Sequence, residues 1–395
     1  MAMISARQAA PRRGRYGSFG GQFVAPILLP VLDRLEAAFD AAWADRAFRA
    51  EFEGLLRSFV GRPTPISDLG ARAVSGGEAR ILLKRDDLTF NGGNYANSAL
   101  GQCLLARRMG LESVVTDTGS GQNGVATAAV AAHLGMVATV YIGARDAQRH
   151  ASTAKKIRAF GADLRIVADA DGTLHAATSA AVRHWMGASD TAAYVAGAPI
   201  GAHPYPRLVS DFQAVIGHET RLQLIGMGQM PAAIVSAVGG GSSTIGIFSA
   251  FLADPAIRLV AVEAGGDGGP AHAARLARGR RGVLHGAETL VLSDENGQIL
   301  PAQSIASGLA YPGASPELAD LVQTGRVQTA TVGDGAALDA VRRLAEREGI
   351  LISLEAGHAL AAAQAMASAG PDSGSIVVMV PASGDKDLDI IRPEI

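Results

Sequence analysis

Cysteine is almost missing from this chain. The single Cys103 excludes an internal disulfide. Its apolar, helix-patterned neighbours predict a buried structural thiol, in keeping with a cytoplasmic setting. Charge is also sparse, with 18% charged residues and a net charge of -2. That excludes the basic footprint of a nucleic-acid binder. No apolar run reaches the roughly eighteen residues a membrane span needs. The opening residues are basic and polar and lack the apolar stretch of a secretory leader, so the expected location is cytoplasmic. Lysine is scarcest of all for a chain this long: Lys84, Lys155, Lys156 and Lys386 are the whole supply. Any chemistry that needs a lysine amine has only these four to draw on.

What is present is apolar bulk and glycine. Across 395 residues, 48% are hydrophobic and 48 are glycine. That is ample for a deep core and too long for one average domain, so two domains are expected. Between residues 31 and 59, Leu32, Leu35, Phe39, Trp43, Phe48, Phe52, Leu55 and Leu56 recur at helical spacing. They predict two amphipathic helices broken near Asp45. "GRPTP" (61–65) is a linker or turn. "ARILLKR", "SVVTDT", "VATVYIG", "DLRIVAD", "AAIVSAVGGG", "IRLVAVEA" and "GSIVVMVPASGD" are apolar, β-branched runs separated by helical stretches. Strands alternating with helices predict mostly parallel sheets covered on both faces, in two sets, near 113–168 and 232–385.

Three strand ends carry the chemistry. In "SAVGGGSSTIG" (236–246) an apolar strand runs through Gly239, Gly240 and Gly241 into the hydroxyls of Ser242 and Ser243 and a helix start. Glycines admit a close approach to the backbone, and free N–H groups at a helix start favour an anion, most often phosphate. The bland reading is a plain strand-to-helix turn. In "TDTGSGQNG" (116–124), Thr118, Gly119, Ser120, Gly121, Gln122 and Asn123 form a second such junction, suited to a carboxylate. There Asp117 is either a ligand-handling acid or a helix cap. "VPASGDKD" (380–387), with Ser383, is a third ligand loop or a solvated turn. "GAHPYPRLVSDFQ" (201–213) lines a channel or buttresses a domain junction. Glu355 and His358 in "LEAGHAL" are three apart at a helix start and read as capping residues; no metal site is expected. In "TFNGGNYANSALGQ" (89–102) a glycine turn feeds a helix beginning near Tyr95.

Taken together, these segments resemble the β-subunit of tryptophan synthase, among the fold-type II pyridoxal-phosphate (PLP) enzymes. "YGSFGGQFVAP", "GRPTP", "LLKRDDL", "ALGQCLLARRMG", "TGSGQNGVATA", "GAHPYPRLVSDFQAVIG", "VGGGSSTIGIF", "GVLHGAETLVL", "SIASGLAYPG", "LEAGHAL" and "GDKD" stand in the family's order along nearly the whole chain. The resemblance implies an α/β fold of two interlocked three-layer domains with the active site between them. One comprises 1–60 with 94–212, including a communication region near 110–197; the other comprises 61–93 with 213–395 and holds the glycine-rich anion loop. It also implies a homodimer able to dock an α-subunit-like partner.

Residue by residue, the resemblance is uneven. The family's Schiff-base lysine falls at Tyr95, the histidine before it at Asn94, and its catalytic glutamate at Asp117, one methylene shorter. The aspartate that gates closure falls at Ala310, the serine partner of the pyridine nitrogen at Pro381, and an asparagine of the phosphate loop at Ser243. Gly239, Gly240, Gly241 and Ser242 are kept, as are Thr118, Gly119, Gly121, Gln122, Asn97 and Glu355. A phenol forms no aldimine, and a proline nitrogen offers no proton. Lys84 matches an ordinary strand lysine, Lys155 and Lys156 a solvated helix face, and Lys386 a turn.

The expectation is therefore an enzyme without covalently bound PLP: a biosynthetic lyase, cyclase or C–C bond-forming enzyme. Asp117 would serve as general acid/base, with Tyr95 as proton donor or orienter. The substrate would be a small aromatic or indole-like molecule carrying a carboxylate or phosphate. The alternatives are a PLP-dependent β-replacement lyase and a non-catalytic ligand-binding or regulatory subunit.

Overall fold

The computed structural model describes residues 14–69, 80–168, 172–369 and 374–393. The opening stretch 1–13 lies outside them. Three sheets organise the chain. In the largest, strands run in the order Val327–Val332, Arg258–Ala264, Ala233–Ala237, Ile376–Val380, Ile81–Arg85, Ile66–Asp68. All neighbours are parallel except the last pair. Ala233–Ala237 and Ile376–Val380 are buried at every position, as expected of central strands covered on both faces. The second sheet is wholly parallel, in the order Asp163–Val167, Val137–Gly143, Ser113–Thr118, Ala192–Tyr194. Alternation of strands with covering helices is the expected α/β arrangement.

The third sheet departs from the parallel expectation. It is antiparallel and joins Arg15–Tyr16 and Phe19–Gly20 to the hairpin Arg280–Leu284 / Ala287–Val291. Leu284 pairs with Ala287, leaving His285 and Gly286 as a two-residue turn with φ of 50° and 86°. Positive φ at both central residues matches the right-handed strand twist in tight hairpins.

The break expected near Asp45 is real: helices Leu29–Ala44 and Arg46–Leu55 meet there. The Ala47 N–H donates to the Asp45 carboxylate at 2.8 Å, capping the second helix. These helices send Phe39 and Phe52 against Phe212, with ring centroids 5.5 and 5.2 Å away. Phe212 in turn fills the space over Gly101, where an added Cβ would lie 2.2 Å from its ring. Packing thereby fixes the helix Tyr95–Arg108, whose first residue faces the site. Cys103 is buried on that helix, and burial pushes its thiol up to about 12, so it is inert, as its neighbours predict.

The "GRPTP" turn is anchored rather than loose. Arg62 is buried and ion-paired with Asp86 at 2.8 Å and Glu219 at 3.2 Å. Lys84 is buried in the same network, 2.5 Å from Glu219 and donating to the Thr64 carbonyl. Among the described residues no helix is long and apolar enough to cross a membrane.

Candidate functional site

Residues at or just past the ends of strands from both parallel sheets line two adjoining cavities. The larger, ≈ 1060 Å³ out to its open mouth, is walled by Asp117, Thr118, Gly119, Ser120 and Asn123 on one side. Leu174, Trp185, Tyr194, Tyr205, His285 and Tyr311 also line it. The smaller, ≈ 510 Å³, is walled by Asn94, Gln122, Gly239, Gly240, Gly241, Ser242, Ser243, Glu355, Pro381 and Lys386. Tyr95, Ser120, Ala198, Gly240 and Gly308 belong to both, so Tyr95 stands where one opens into the other.

Asp117 is buried at the end of the Ser113–Thr118 strand. It caps nothing: the next helix, Gln122–His133, starts from Gly121 without a side-chain cap. Instead the Asp117 carboxyl meets two hydroxyls, Thr178 Oγ1 at 2.7 Å on one oxygen and the Tyr194 hydroxyl on the other. Burial pushes the Asp117 carboxyl above the ordinary carboxylate range, and those hydroxyls pull it part of the way back. Tyr95 is a weaker acid than expected of a proton donor. Burial, with the Glu355 carboxylate adding to it, pushes its phenol up to about 12. Asn123 braces the strand end, donating to Thr116 Oγ1 at 2.8 Å and to the Asp117 carbonyl at 2.9 Å.

The glycine turn lines the smaller cavity, though its glycines have packing reasons as well. A Cβ on Gly239 would lie 1.9 Å from the Gly308 carbonyl oxygen, and one on Gly240 would lie 2.3 Å from Ala198 Cβ. Three glycines in a row therefore do not by themselves argue for a ligand here. Asn94 donates to Ser242 Oγ at 3.0 Å, and Gln213 donates to it at 3.1 Å. Asn97 belongs to this support and not to either wall: it donates to Gln213 Oε1 at 3.0 Å. Gly121 is also structural, since a Cβ there would sit 2.1 Å from Thr153 Cγ2. Ser383 lines neither cavity; it caps the Gly384–Asp387 turn by accepting from the Asp385 N–H.

That turn is not a solvated one. Asp387 is buried and accepts from the Leu354 N–H at 2.9 Å, taking the capping role expected of Glu355 and His358. His358 is buried against the Leu354 carbonyl and Asp334. Glu355 is free to face the cavity, where it accepts from the Gly308 N–H at 2.9 Å and pairs with Lys386 at 2.9 Å. Lys386 also pairs with Asp387 at 2.8 Å. Burial disfavours these charges, but Lys386 pulls the Glu355 carboxyl down to about 2, and the two carboxylates hold the Lys386 ammonium above its ordinary range.

Sequence reasoning missed three contributors. Arg275 is fully buried and donates to the carbonyls of Val238, Gly239, Ala273 and Leu309, bracing the glycine turn. Lys386 is a cavity residue and not merely a turn residue. His285 reaches the larger cavity from the hairpin turn; the dipeptide "HG" between two alternating runs was its available signal. Of six tyrosines in the chain, Tyr95, Tyr194, Tyr205 and Tyr311 all converge on the larger cavity. That concentration suits a ligand with a flat, apolar face. Among the described residues no cluster could hold a metal ion.

Comparison with known proteins bears on this geometry. Residues 58–382 match the family described as pyridoxal-phosphate dependent enzyme. Among solved structures, a lysine-to-alanine mutant of O-ureido-L-serine synthase with O-ureido-L-serine bound superposes with a TM-score of 0.63. It is 21% identical and the match covers 86% of this chain and 94% of that one. A pyridoxal 5'-phosphate-dependent aspartate racemase superposes with a TM-score of 0.66 at 17% identity, covering 87% of this chain and 96% of the other. At these identities the likeness is one of fold.

Proposed function

Since the chain belongs to the pyridoxal-phosphate dependent enzyme family, we propose that it is an enzyme on that scaffold which has given up the covalent cofactor for acid/base chemistry. The observation that carries this reading is Asp117, a buried acid between Thr178 and Tyr194 on the wall of an aromatic-lined cavity. The residues do not fit a covalently held PLP. Tyr95 stands where the resemblance puts the lysine. Among the described residues, Lys386 is the lysine on either cavity wall, and its ammonium is held by Glu355 and Asp387. A Schiff base needs a neutral amine, which that pairing suppresses. Pro381, beside the glycine turn, offers no proton to a pyridine nitrogen.

On this reading the substrate is a small aromatic, indole-like molecule. Its flat part lies among Trp185, Tyr194, Tyr205 and Tyr311, and a carboxylate or phosphate lies over the glycine turn. Asp117 delivers a proton to the substrate and recovers one later in the cycle, in a lyase, cyclisation or C–C bond-forming reaction. Tyr95, too weak an acid to lead, orients the substrate at the junction of the cavities. Purified protein with and without added PLP is expected to show no visible Schiff-base band. A band that borohydride fixes onto a lysine-bearing peptide would overturn the reading in favour of a PLP-dependent β-replacement lyase, which family membership favours. The homodimer implied by the resemblance is expected by sedimentation at micromolar concentration.

A further inference from the structure

We propose that His285 is a specificity-determining residue, which hydrogen-bonds a neutral hydroxyl or N–H of the ligand in the larger cavity. The proposal rests on that cavity holding the substrate, as in the reading above, but not on any chemistry taking place there.

Four observations meet at this residue. First, His285 is the one non-glycine residue with positive φ among those described, at 50°. The two-residue turn demands that conformation, but it does not demand an imidazole: asparagine, aspartate or glycine serves such a turn at least as well. A histidine here therefore needs a reason beyond the backbone.

Second, the turn is held in place. The Ala202 N–H donates to the His285 carbonyl at 2.9 Å, and the Phe23 N–H donates to the Gly286 carbonyl at 2.8 Å. Gly201 and Ala202 are themselves on the cavity wall. The tip of the hairpin is thus fastened to the rim and is not a free loop.

Third, the ring is fixed between neighbours. Its centroid lies 6.2 Å from that of Tyr311, nearly stacked at 28°, and 5.9 Å from that of His175. Burial, with His175 beside it, pulls the imidazole down to about 4. It is therefore neutral at ordinary pH and offers one donor and one acceptor nitrogen.

Fourth, Nε2 is buried and has no hydrogen-bond partner among the described residues. An unmet polar atom of that kind is costly unless something in the cavity meets it. Tyr194, Tyr205 and Tyr311 are neutral phenols, since burial raises all three well above their ordinary range. The wall that faces His285 is thus uncharged. The matching ligand group is a neutral one that can donate or accept, such as a ring hydroxyl or N–H.

The test uses two probes of one shape, 2-naphthol and naphthalene, with binding to the intact protein followed by fluorescence. A hydroxyl pairs with either tautomer of His285. In the parent, the affinity ratio of 2-naphthol to naphthalene is expected to be about tenfold higher than in His285→Asn. Asparagine keeps the turn's positive φ but ends near the Nδ1 position, short of Nε2. His285→Gln returns a polar atom to roughly the Nε2 position and is expected to restore most of the ratio. An unchanged ratio in His285→Asn overturns the proposal, because the hydroxyl would then be read by Asp117 or a tyrosine. A His285→Gln protein that behaves like His285→Asn overturns it as well. No turnover is measured, so the result stands apart from whether Asp117 is a catalytic acid.

Discussion

Thr178 Oγ1 lies 2.7 Å from Asp117 Oδ2 and 2.9 Å from the Leu174 carbonyl oxygen. A hydroxyl has one proton, so it cannot satisfy both acceptors at once. If Asp117 is protonated, all three groups are served: the acid donates to Thr178, and Thr178 donates to Leu174. Burial pushes the acid toward that protonated state, against the pull of the two hydroxyls.

Tyr194, like Thr178, works against burial. Its hydroxyl donates to Asp117 and lowers that acid's pKa. Activity that depends on protonated Asp117 is lost as pH rises through its folded pKa. In Tyr194→Phe that alkaline limb is expected to move to higher pH, read from the pH profile of kcat. An unmoved limb would mean that another group supplies the proton.

Asp117→Asn removes the proton and keeps the shape. Turnover is expected to fall by roughly a hundredfold or more, the usual worth of a general acid/base. A carboxyl raised in the fold costs stability as pH climbs from its unfolded value to its folded one, because over that range the unfolded chain gives up a proton that the native state keeps. The Asn variant is therefore expected to melt at or above the parent temperature at pH 8. Full activity in this variant would end the acid/base reading.

Lys386→Met strands two buried carboxylates, Glu355 and Asp387. Breaking buried pairs in this way costs about 3–5 kcal/mol, so the urea midpoint is expected to fall sharply. Lys155 and Lys156 are exposed on the Ala151–Ala159 helix, and their substitution is expected to leave the unfolding free energy within about 0.5 kcal/mol of the parent.

Acid stability follows from two imidazoles. Burial holds His285 and His150 at about 4 in the fold, against about 6.5 in an unfolded chain. Between those values the unfolded chain binds protons that the native protein refuses. Stability is therefore expected to fall as pH drops from about 6.5 toward 4, by at most about 1.4 kcal/mol per pH unit for each group. His285→Gln should flatten part of that slope in denaturant titrations at successive pH values.

The strand ends were legible because their signals are local. "SVVTDT" and "AIVSA" are β-branched runs that stop at cavity-lining turns, and Asp45 breaks one helix by capping the next. The walls were less legible because their residues meet only through topology. Tyr194, Tyr205 and Tyr311 come from separate segments, and His285 reaches the cavity through a hairpin whose sheet also takes in residues 15–20. Periodicity reports what an element buries, not what it faces across a cavity. Lys386 reads as a turn residue for the same reason: nothing adjacent in sequence reveals that Glu355 lies beside it.

The Arg275 guanidinium ties together carbonyls from three stretches of chain: 238–239, 273 and 309. On the proposed reading, a floor cross-braced in this way has little freedom left to lose on binding the substrate's anionic group. The entropy of ordering that turn was surrendered once, during folding, and is not demanded again at each encounter. Loosening the brace with Arg275→Lys would leave the same glycines in place. Each binding event would then have to arrange them afresh, so the loss would appear chiefly as faster ligand release.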